Sequence, residues 1–96
     1  MHQAILLLKK IPKGKVTTYK ELARVLKTSP RAVGRVMANN KYPKEYSCYK
    51  VVSSTGELTG YSGPGGLAGK EKLLRRDGIV LEKGKVPFEY FFTFSS

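Results

Sequence analysis

The sequence predicts a mostly α-helical domain with a small amount of β structure, of the winged helix-turn-helix type. Three observations lead to this prediction. Two amphipathic helical segments are separated by a three-residue turn, which is the spacing of a helix-turn-helix motif. Short apolar runs separated by glycine-containing turns follow in the second half of the chain, as in small β elements. The length of 96 residues allows one domain with a modest core.

The first two helices are predicted from helical spacing of apolar residues and from their ends. The first covers residues 3–10 and stops before Pro12, which cannot continue a helix. The second covers residues 18–27. Thr18 and Glu21 have the spacing of a capping box, in which the threonine caps the helix and the glutamate reaches back.

The third helix begins after the turn, with Ser29 as N-cap and Pro30 at the first helical position. It runs to about Ala38 and stops at two asparagines. The helix-turn-helix therefore covers residues 18 to 38.

Positive charge is concentrated in the first half of the chain. The net charge is +11. Residues 1–44 contain eleven Lys and Arg against one Glu, whereas residues 45–96 contain seven basic and six acidic side chains. A surplus of positive charge on one half of the chain favours a surface that faces a polyanion, and nucleic acid is the first candidate. The alternative is charge that serves solubility alone. With nucleic acid as the partner, the fold prediction becomes a winged helix-turn-helix-like DNA-binding domain.

The outer face of the third helix carries Arg31, Gly34, Arg35 and Ala38, while Met37 lies on the core side. Glycine inside a helix costs ~1 kcal/mol relative to alanine, which close approach to a partner would offset. The alternative is that Gly34 only relieves packing against the second helix. A nearly bare face suits the minor groove of DNA better than the major groove. We therefore predict minor-groove docking, with Arg31 or Arg35 able to enter the base stack.

The second half is predicted to contain a strand at residues 50–53 with a possible partner at Glu57–Leu58. A glycine-rich loop at residues 59–66 opens a helix from about 67 to 76, and Gly78 occupies its C-cap region. The loop lacks the Lys-Ser/Thr ending of a phosphate-binding P-loop.

Two further features follow that helix. A hairpin is predicted around residues 82–85, and an aromatic tail covers residues 88–94. The tail either packs on the core or forms an interface.

Cys48 is the only cysteine and lies in the segment 46–52. A thiolate is the strongest nucleophile that this chain offers, although many free cysteines are simply small buried apolar residues. One cysteine cannot form an intrachain disulfide, and with His2 it cannot complete a four-ligand zinc site. No metal and no cofactor are expected. Neither a membrane span nor a secretory signal is present, so we expect a cytoplasmic protein, or a nuclear one in a eukaryote.

A helix-turn-helix, a lone thiol ten residues beyond it and a glycine-rich loop together resemble one family, the O6-alkylguanine-DNA alkyltransferases (methylated-DNA–protein-cysteine methyltransferases). The resemblance is to their DNA-binding and active-site domain and covers residues 3 to about 81, with one small insertion near Pro64. The matching segments are Ile11–Tyr19, Arg31–Gly34, Asn39–Asn40, Cys48 with Val51–Val52, Leu58–Gly63, and Leu67–Leu74.

The resemblance implies one domain over residues 1–96, with the active-site segment at 46–52 and a pocket loop at 59–66. The usual N-terminal ribonuclease-H-like domain is expected to be absent. The implied partner is double-stranded DNA carrying O6-alkylguanine, bound through the minor groove, with no membrane association. We expect a monomer, or one part of a larger multidomain chain.

The resemblance also implies roles for individual residues. Cys48 takes the alkyl group in an irreversible, single-turnover reaction, and Arg31 fills the gap left by the flipped nucleotide. Tyr19 hydrogen-bonds the flipped guanine, although it also shares the apolar face of the second helix. The remaining candidates are Lys15, Thr18, Ala32, Gly34 and Arg35 for DNA contact; Met37, Val51, Tyr61 and Ser62 for the pocket; and Asn40 as a brace between the recognition helix and the active site.

The active-site motif departs from that family. Its usual Pro-Cys-His-Arg is Ser47-Cys48-Tyr49-Lys50 here, with Asp77 where the family has a glutamate. The family's histidine helps to deprotonate the thiol, whereas a phenol is a poor proton acceptor at pH 7. An unassisted thiol is still ~3% thiolate at pH 7, equivalent to ~2 kcal/mol of barrier. We therefore expect a working but differently activated alkyltransferase, with Lys50 or a nearby helix N-terminus favouring the thiolate.

Two alternatives stay open. One is a non-catalytic alkyltransferase-like protein that binds alkylated lesions; such relatives lack the cysteine, usually with tryptophan in its place. The other is a winged-helix transcription regulator that uses the hairpin at residues 82–85 as its wing.

Overall fold

The computed structural model describes residues 2–41, 45–58 and 65–94. It confirms a mostly helical domain with a small β component. Within these described residues the helices are α1 (Gln3–Leu7), α2 (Tyr19–Leu26), α3 (Pro30–Ala38) and α4 (Gly66–Arg76), and the strands are β1 (Thr17–Thr18) and β2 (Val51–Val52). Single 3₁₀ turns cover Leu8–Lys10, Cys48–Lys50 and Phe88–Tyr90.

The helix-turn-helix forms from local signals. The Thr18 hydroxyl accepts a hydrogen bond from the Glu21 N–H at 2.9 Å, and the Ser29 hydroxyl accepts from the Ala32 N–H at 3.1 Å. Both caps satisfy N–H groups that have no partner within the helix. Lys27 ends α2 in the left-handed conformation, with φ of 56°, and so turns the chain toward α3. The predicted N-caps are confirmed.

The prediction that the Glu21 side chain completes the capping box is wrong. The Glu21 carboxylate does not reach back to Thr18. It accepts from the Arg24 guanidinium at 2.9 and 2.8 Å and from the Phe94 N–H at 2.7 Å. A charged donor and a tail N–H are stronger competitors for the carboxylate than the single N–H at the cap.

Of the strand predicted at residues 50–53, Val51–Val52 form β2, but the predicted partner at Glu57–Leu58 is wrong. β2 pairs with β1 in parallel, with Val51 opposite Thr17. Glu57 instead forms an antiparallel bridge with Lys85. A parallel pair needs a long connection, and the α2–α3 unit supplies it here.

The turn at residues 82–85 is confirmed by two hydrogen bonds of 2.9 Å that join the backbones of Glu82 and Lys85. The tail then runs beside β1. Val16 pairs with Phe91, and Phe94 is 6% exposed within the core. The tail therefore packs on the core, while Phe88 remains 69% exposed.

The buried residues that the structure describes form two core clusters. The first joins α1, α2 and α3 with Cys48, Val51 and Phe94. The second lies under β2 and α4 and includes Val52 and Leu74. In the part of the chain that the structure describes, no helix is long and apolar enough to cross a membrane.

Candidate active site and DNA-facing helix

Helix α3 presents a small, basic outer face. Arg31, Arg35 and Ala38 are exposed, while Val33 and Met37 are buried at 0% and 1% exposure. This division is the one predicted from helical periodicity. It leaves two guanidinium groups on the solvent side of the helix with little side-chain bulk between them.

Gly34 is the central residue of this face. A methyl group added at its Cα would meet no atom of another element within 4 Å. Packing against α2 therefore does not require glycine, and the alternative of packing relief is wrong. Nothing within the described fold accounts for the helix-propensity cost at this position.

Two of the other predicted DNA-contact residues, Lys15 and Thr18, form hydrogen bonds within the protein. The Lys15 ammonium donates to the Glu89 carbonyl at 3.1 Å. Thr18 is 8% exposed, and its hydroxyl caps α2. Ala32 is partly buried beside the exposed arginines. Of these three residues, only Lys15 places its charged group at the surface.

Cys48 begins the 3₁₀ turn that leads into β2. It is 4% exposed and packs in the first core cluster. Its N–H donates to the Tyr46 carbonyl at 2.8 Å. The same carbonyl accepts from the Asn40 side-chain amide at 2.9 Å. Asn40 thus links the C-terminal end of α3 to the cysteine turn.

The predicted pocket residues Met37 and Val51 belong to the same cluster as Cys48, and so does Tyr19, which is predicted to hydrogen-bond the guanine. Tyr19 lies at the start of α2 and is partly buried, whereas Met37 and Val51 are buried. The remaining two pocket candidates, Tyr61 and Ser62, lie outside the described residues.

Tyr49 makes a hydrogen bond with Asp77. The phenol donates to the Asp77 carboxylate at 2.7 Å across 28 residues of sequence. Burial first, and then this hydrogen bond, raise the pKa of Tyr49 well above its ordinary value. Tyr49 is therefore a neutral donor at physiological pH and cannot take a proton from a thiol.

Lys70 is a residue of this region that the sequence prediction missed. It is 0% exposed, and its ammonium donates to the carbonyl of Val51 at 2.5 Å. The ammonium also lies 6.0 Å from the centre of the Tyr19 ring. Burial lowers the pKa of Lys70 to about 8, and the interaction with Cys48 opposes that shift.

The sequence does contain a signal for Lys70. It precedes the buried Leu74 by four residues in α4, so it lies on the buried stripe of that helix. A lysine on such a stripe is rarely fully buried without a partner. Only the fold identifies the partners, because Tyr19 and Val51 belong to other elements.

The family model described as "6-O-methylguanine DNA methyltransferase, DNA binding domain" matches residues 1–79. This chain belongs to that family.

Two curated methylated-DNA–protein-cysteine methyltransferases are similar to this methyltransferase-family domain. The protein from Pyrobaculum aerophilum is 50% identical over 70 residues, which cover 73% of this chain and 46% of that protein. The protein from Sulfolobus acidocaldarius is 44% identical over 69 residues, which cover 72% of this chain and 43% of that protein. The chain thus spans less than half the length of these relatives.

Solved structures agree on the fold. The O6-methylguanine-DNA methyltransferase from Pyrococcus kodakaraensis KOD1 has a TM-score of 0.72 and 40% identity, covering 80% of this chain and 44% of that one. Atl1 from S. pombe, in complex with damaged DNA containing O6-carboxymethylguanine, has a TM-score of 0.81 and covers 94% and 91% of the two chains. Its identity is 23%, so it shows the fold alone.

Proposed function

We propose that this domain binds duplex DNA carrying O6-alkylguanine through the minor groove and transfers the alkyl group to Cys48. The observation that carries the proposal is the position of Cys48. It lies in one cluster with Tyr19, Met37 and Val51 and is joined to the recognition helix through Asn40. Membership of the methyltransferase family supports the same chemistry.

DNA binding is supported by the outer face of α3. A bare helix surface permits close approach to a narrow groove, and an arginine at its edge can fill the space of an extruded nucleotide. Extrusion costs a few kcal/mol of stacking and pairing, and an inserted side chain offsets part of that cost. Arg31, in the first turn of α3 and exposed, is our candidate for insertion.

The transfer is a displacement at carbon. The Cys48 sulfur forms a bond with the alkyl carbon while the carbon–O6 bond breaks, and the electron pair passes to the guanine, which takes up a proton. Hydrogen-bond donors to the guanine, for which we propose Tyr19 and Ser62, would stabilise the charge that develops on the leaving group. The thioether that forms on Cys48 is not cleaved again, so each protein molecule reacts once.

The test is a single-turnover mass measurement. The protein is incubated with a duplex containing one O6-methylguanine and with the same duplex containing guanine. We expect the wild-type protein to gain one methyl group only with the damaged duplex, and Cys48→Ala to gain none. An unmodified wild-type protein in both reactions would refute transfer.

A second candidate is a non-catalytic lesion binder. One observation favours it: the Tyr49 phenol cannot serve as a base. This function predicts tighter binding to the O6-methylguanine duplex than to the guanine duplex without any gain in protein mass. In either case affinity should fall steeply with salt, because phosphate contacts dominate binding to DNA.

A further inference from the structure

We propose that a groove between the start of α1 and the end of α3 holds the sugar–phosphate backbone of one DNA strand, and that this strand is the one carrying the lesion. The inference rests on the proposed binding of duplex DNA through the minor groove. It does not depend on whether an alkyl group is then transferred.

The groove is a cleft of about 500 Å³ beside the predicted DNA-facing surface. Its floor is apolar and is formed by Ile5 of α1 and Val36 of α3. Its rim carries polar and cationic side chains, namely His2, Arg35, Asn39, Asn40 and Lys41. Because Arg35 also lies on the exposed outer face of α3, the groove is continuous with the surface that we propose for the minor groove.

The charge of the groove favours an anion. Among the residues that the structure describes, its lining contains the two cations Arg35 and Lys41 and no carboxylate. Both side chains are exposed, and neither forms an ion pair with another described residue. Phosphate is the anionic group of the proposed partner, and most contacts in protein–DNA interfaces are made to phosphate and sugar. An apolar floor beneath a cationic rim suits a deoxyribose with its phosphate.

The carbonyl groups at the end of α3 do not oppose this occupant. Carbonyls at the C-terminus of a helix carry partial negative charge and repel an anion when they have no partner. Here the Arg35 carbonyl accepts from the backbone N–H and the side-chain amide of Asn39, at 3.2 and 2.9 Å. The Met37 carbonyl accepts from the Asn40 N–H at 3.1 Å. These two oxygens are bonded to donors of the protein, so the cationic side chains dominate the charge of the groove.

Asn40 connects the groove with the cysteine turn, and this connection assigns the strand. Asn40 lines the groove, and its side-chain amide donates to the Tyr46 carbonyl, which also accepts from the Cys48 N–H. An extruded nucleotide remains attached to its own strand. The backbone nearest to Cys48 is therefore that of the strand with the O6-alkylguanine, and a groove that shares Asn40 with the cysteine turn lies on the side of this strand.

The alternative role for Arg35 and Lys41 is to balance the negative end of the α3 dipole. The two roles predict different results. Balance of the dipole contributes to the stability of the free protein and does not depend on any one phosphate of the DNA. A phosphate contact contributes to affinity and to its salt dependence, and it disappears when that phosphate loses its charge.

The experiment combines protein variants with duplexes in which a single phosphate is replaced by an uncharged methylphosphonate. One series of duplexes places this change at successive positions around an O6-methylguanine in its own strand, and a second series places it in the complementary strand. The variants are Lys41→Gln, Lys41→Arg, Arg35→Gln and Lys72→Gln. The control Lys72→Gln removes an exposed charge on α4, outside the groove. Each variant is made in a Cys48→Ala protein, so that methyl transfer does not disturb the affinity measurement.

We expect Lys41→Gln and Arg35→Gln each to weaken binding about threefold to tenfold. Each should also reduce the slope of log affinity against log salt concentration by about 1, for damaged and undamaged duplexes alike. Lys41→Arg should restore most of the affinity, and Lys72→Gln should bind as the Cys48→Ala protein does. One methylphosphonate in the lesion strand should weaken binding by a similar factor but have little further effect in Lys41→Gln, because the contact is already lost.

Equal affinity and equal salt slope in Lys41→Gln and Lys72→Gln would overturn the proposal. So would full additivity of Lys41→Gln with every methylphosphonate, or coupling of Lys41 to the complementary strand alone. Unfolding curves of the free variants show whether these side chains contribute to stability instead.

The outcomes also separate the groove from the function on which it rests. If the Cys48→Ala protein does not bind the duplex, the proposed function fails and the groove fails with it. If the coupling is found but the wild-type protein gains no methyl group, the groove stands and alkyl transfer fails. If the wild-type protein gains the methyl group but no coupling is found, the function stands and the groove is refuted.

Discussion

Replacing Gly34 with alanine should stabilise the fold and weaken DNA binding at the same time. Gly34 is the central residue of α3 and has no neighbour that an added methyl group would meet within 4 Å. The full helix-propensity gain of about 1 kcal/mol is therefore available to the variant. For a domain of this size, that gain corresponds to a rise in Tm of roughly 4–8 °C.

The same methyl group lies on the surface that we propose for the minor groove. A helix in close contact with DNA has no room for an added carbon unless the interface shifts. We expect affinity for the O6-methylguanine duplex to fall about tenfold, equivalent to about 1.4 kcal/mol. A stabilised protein that binds less well cannot be explained by loss of folded molecules.

Two measurements check this prediction: denaturant unfolding of the free protein, and duplex binding at fixed salt concentration. Arg31→Ala serves as the comparison for lost binding, and Lys72→Ala, on α4, removes the same charge away from the recognition helix. Unchanged affinity in Gly34→Ala would show that α3 does not approach DNA closely through this residue. A lower free energy of unfolding would show that glycine is required by the fold after all.

Three further predictions concern the site and the tail. Burial lowers the pKa of Lys70 to about 8, from an ordinary 10.5, so the folded state releases this proton at lower pH than the unfolded state. Between pH 8 and pH 10.5 the free energy of unfolding of wild type should therefore rise relative to that of Lys70→Met. Tyr49→Phe should leave the rate of methyl transfer within about threefold, because the phenol is not a base, but should lower stability by about 1 kcal/mol by removing the donor to Asp77; Tyr49→His should speed transfer up to about 100-fold in single-turnover assays if a base is what the site lacks. The Arg24 guanidinium lowers the pKa of Glu21. The stability that the ionised Glu21 carboxylate contributes is therefore present above about pH 4.5 and is lost as the pH falls through the pKa of Glu21 in the folded state. Glu21→Gln should lower the free energy of unfolding at pH 7 by about 1 kcal/mol and flatten its acid dependence.

Much of the helix-turn-helix is predictable from the sequence because its determinants are local. Thr18 and Ser29 cap helices through bonds that span three residues, and the outer face of α3 follows from periodicity alone. The concentration of positive charge is likewise a property of composition. The helix-turn-helix, the lone thiol beyond it and the glycine-rich loop together indicate the family.

The predictions that failed concern residues whose partners are distant in sequence. Glu21 has the spacing of a capping box, but the tail brings it the Phe94 N–H from 73 residues away. The sequence favoured a strand pair between neighbouring segments, whereas β2 pairs with β1 across the whole helix-turn-helix. Local spacing identifies a group that can form a bond but not the competitor that folding brings to it.

By itself, the sequence determined the helical framework, the concentration of basic residues in the first half of the chain and the presence of a single cysteine. The tertiary structure decided the chemical environment of that cysteine. Lys70 reaches Val51 across 19 residues, and Tyr49 reaches Asp77 across 28. The physical reason is that a side chain loses its hydration, and so acquires a new chemical environment, only when separate elements pack around it. A lysine in an exposed helix is an ordinary solvated cation, whereas burial of Lys70 lowers its pKa to about 8.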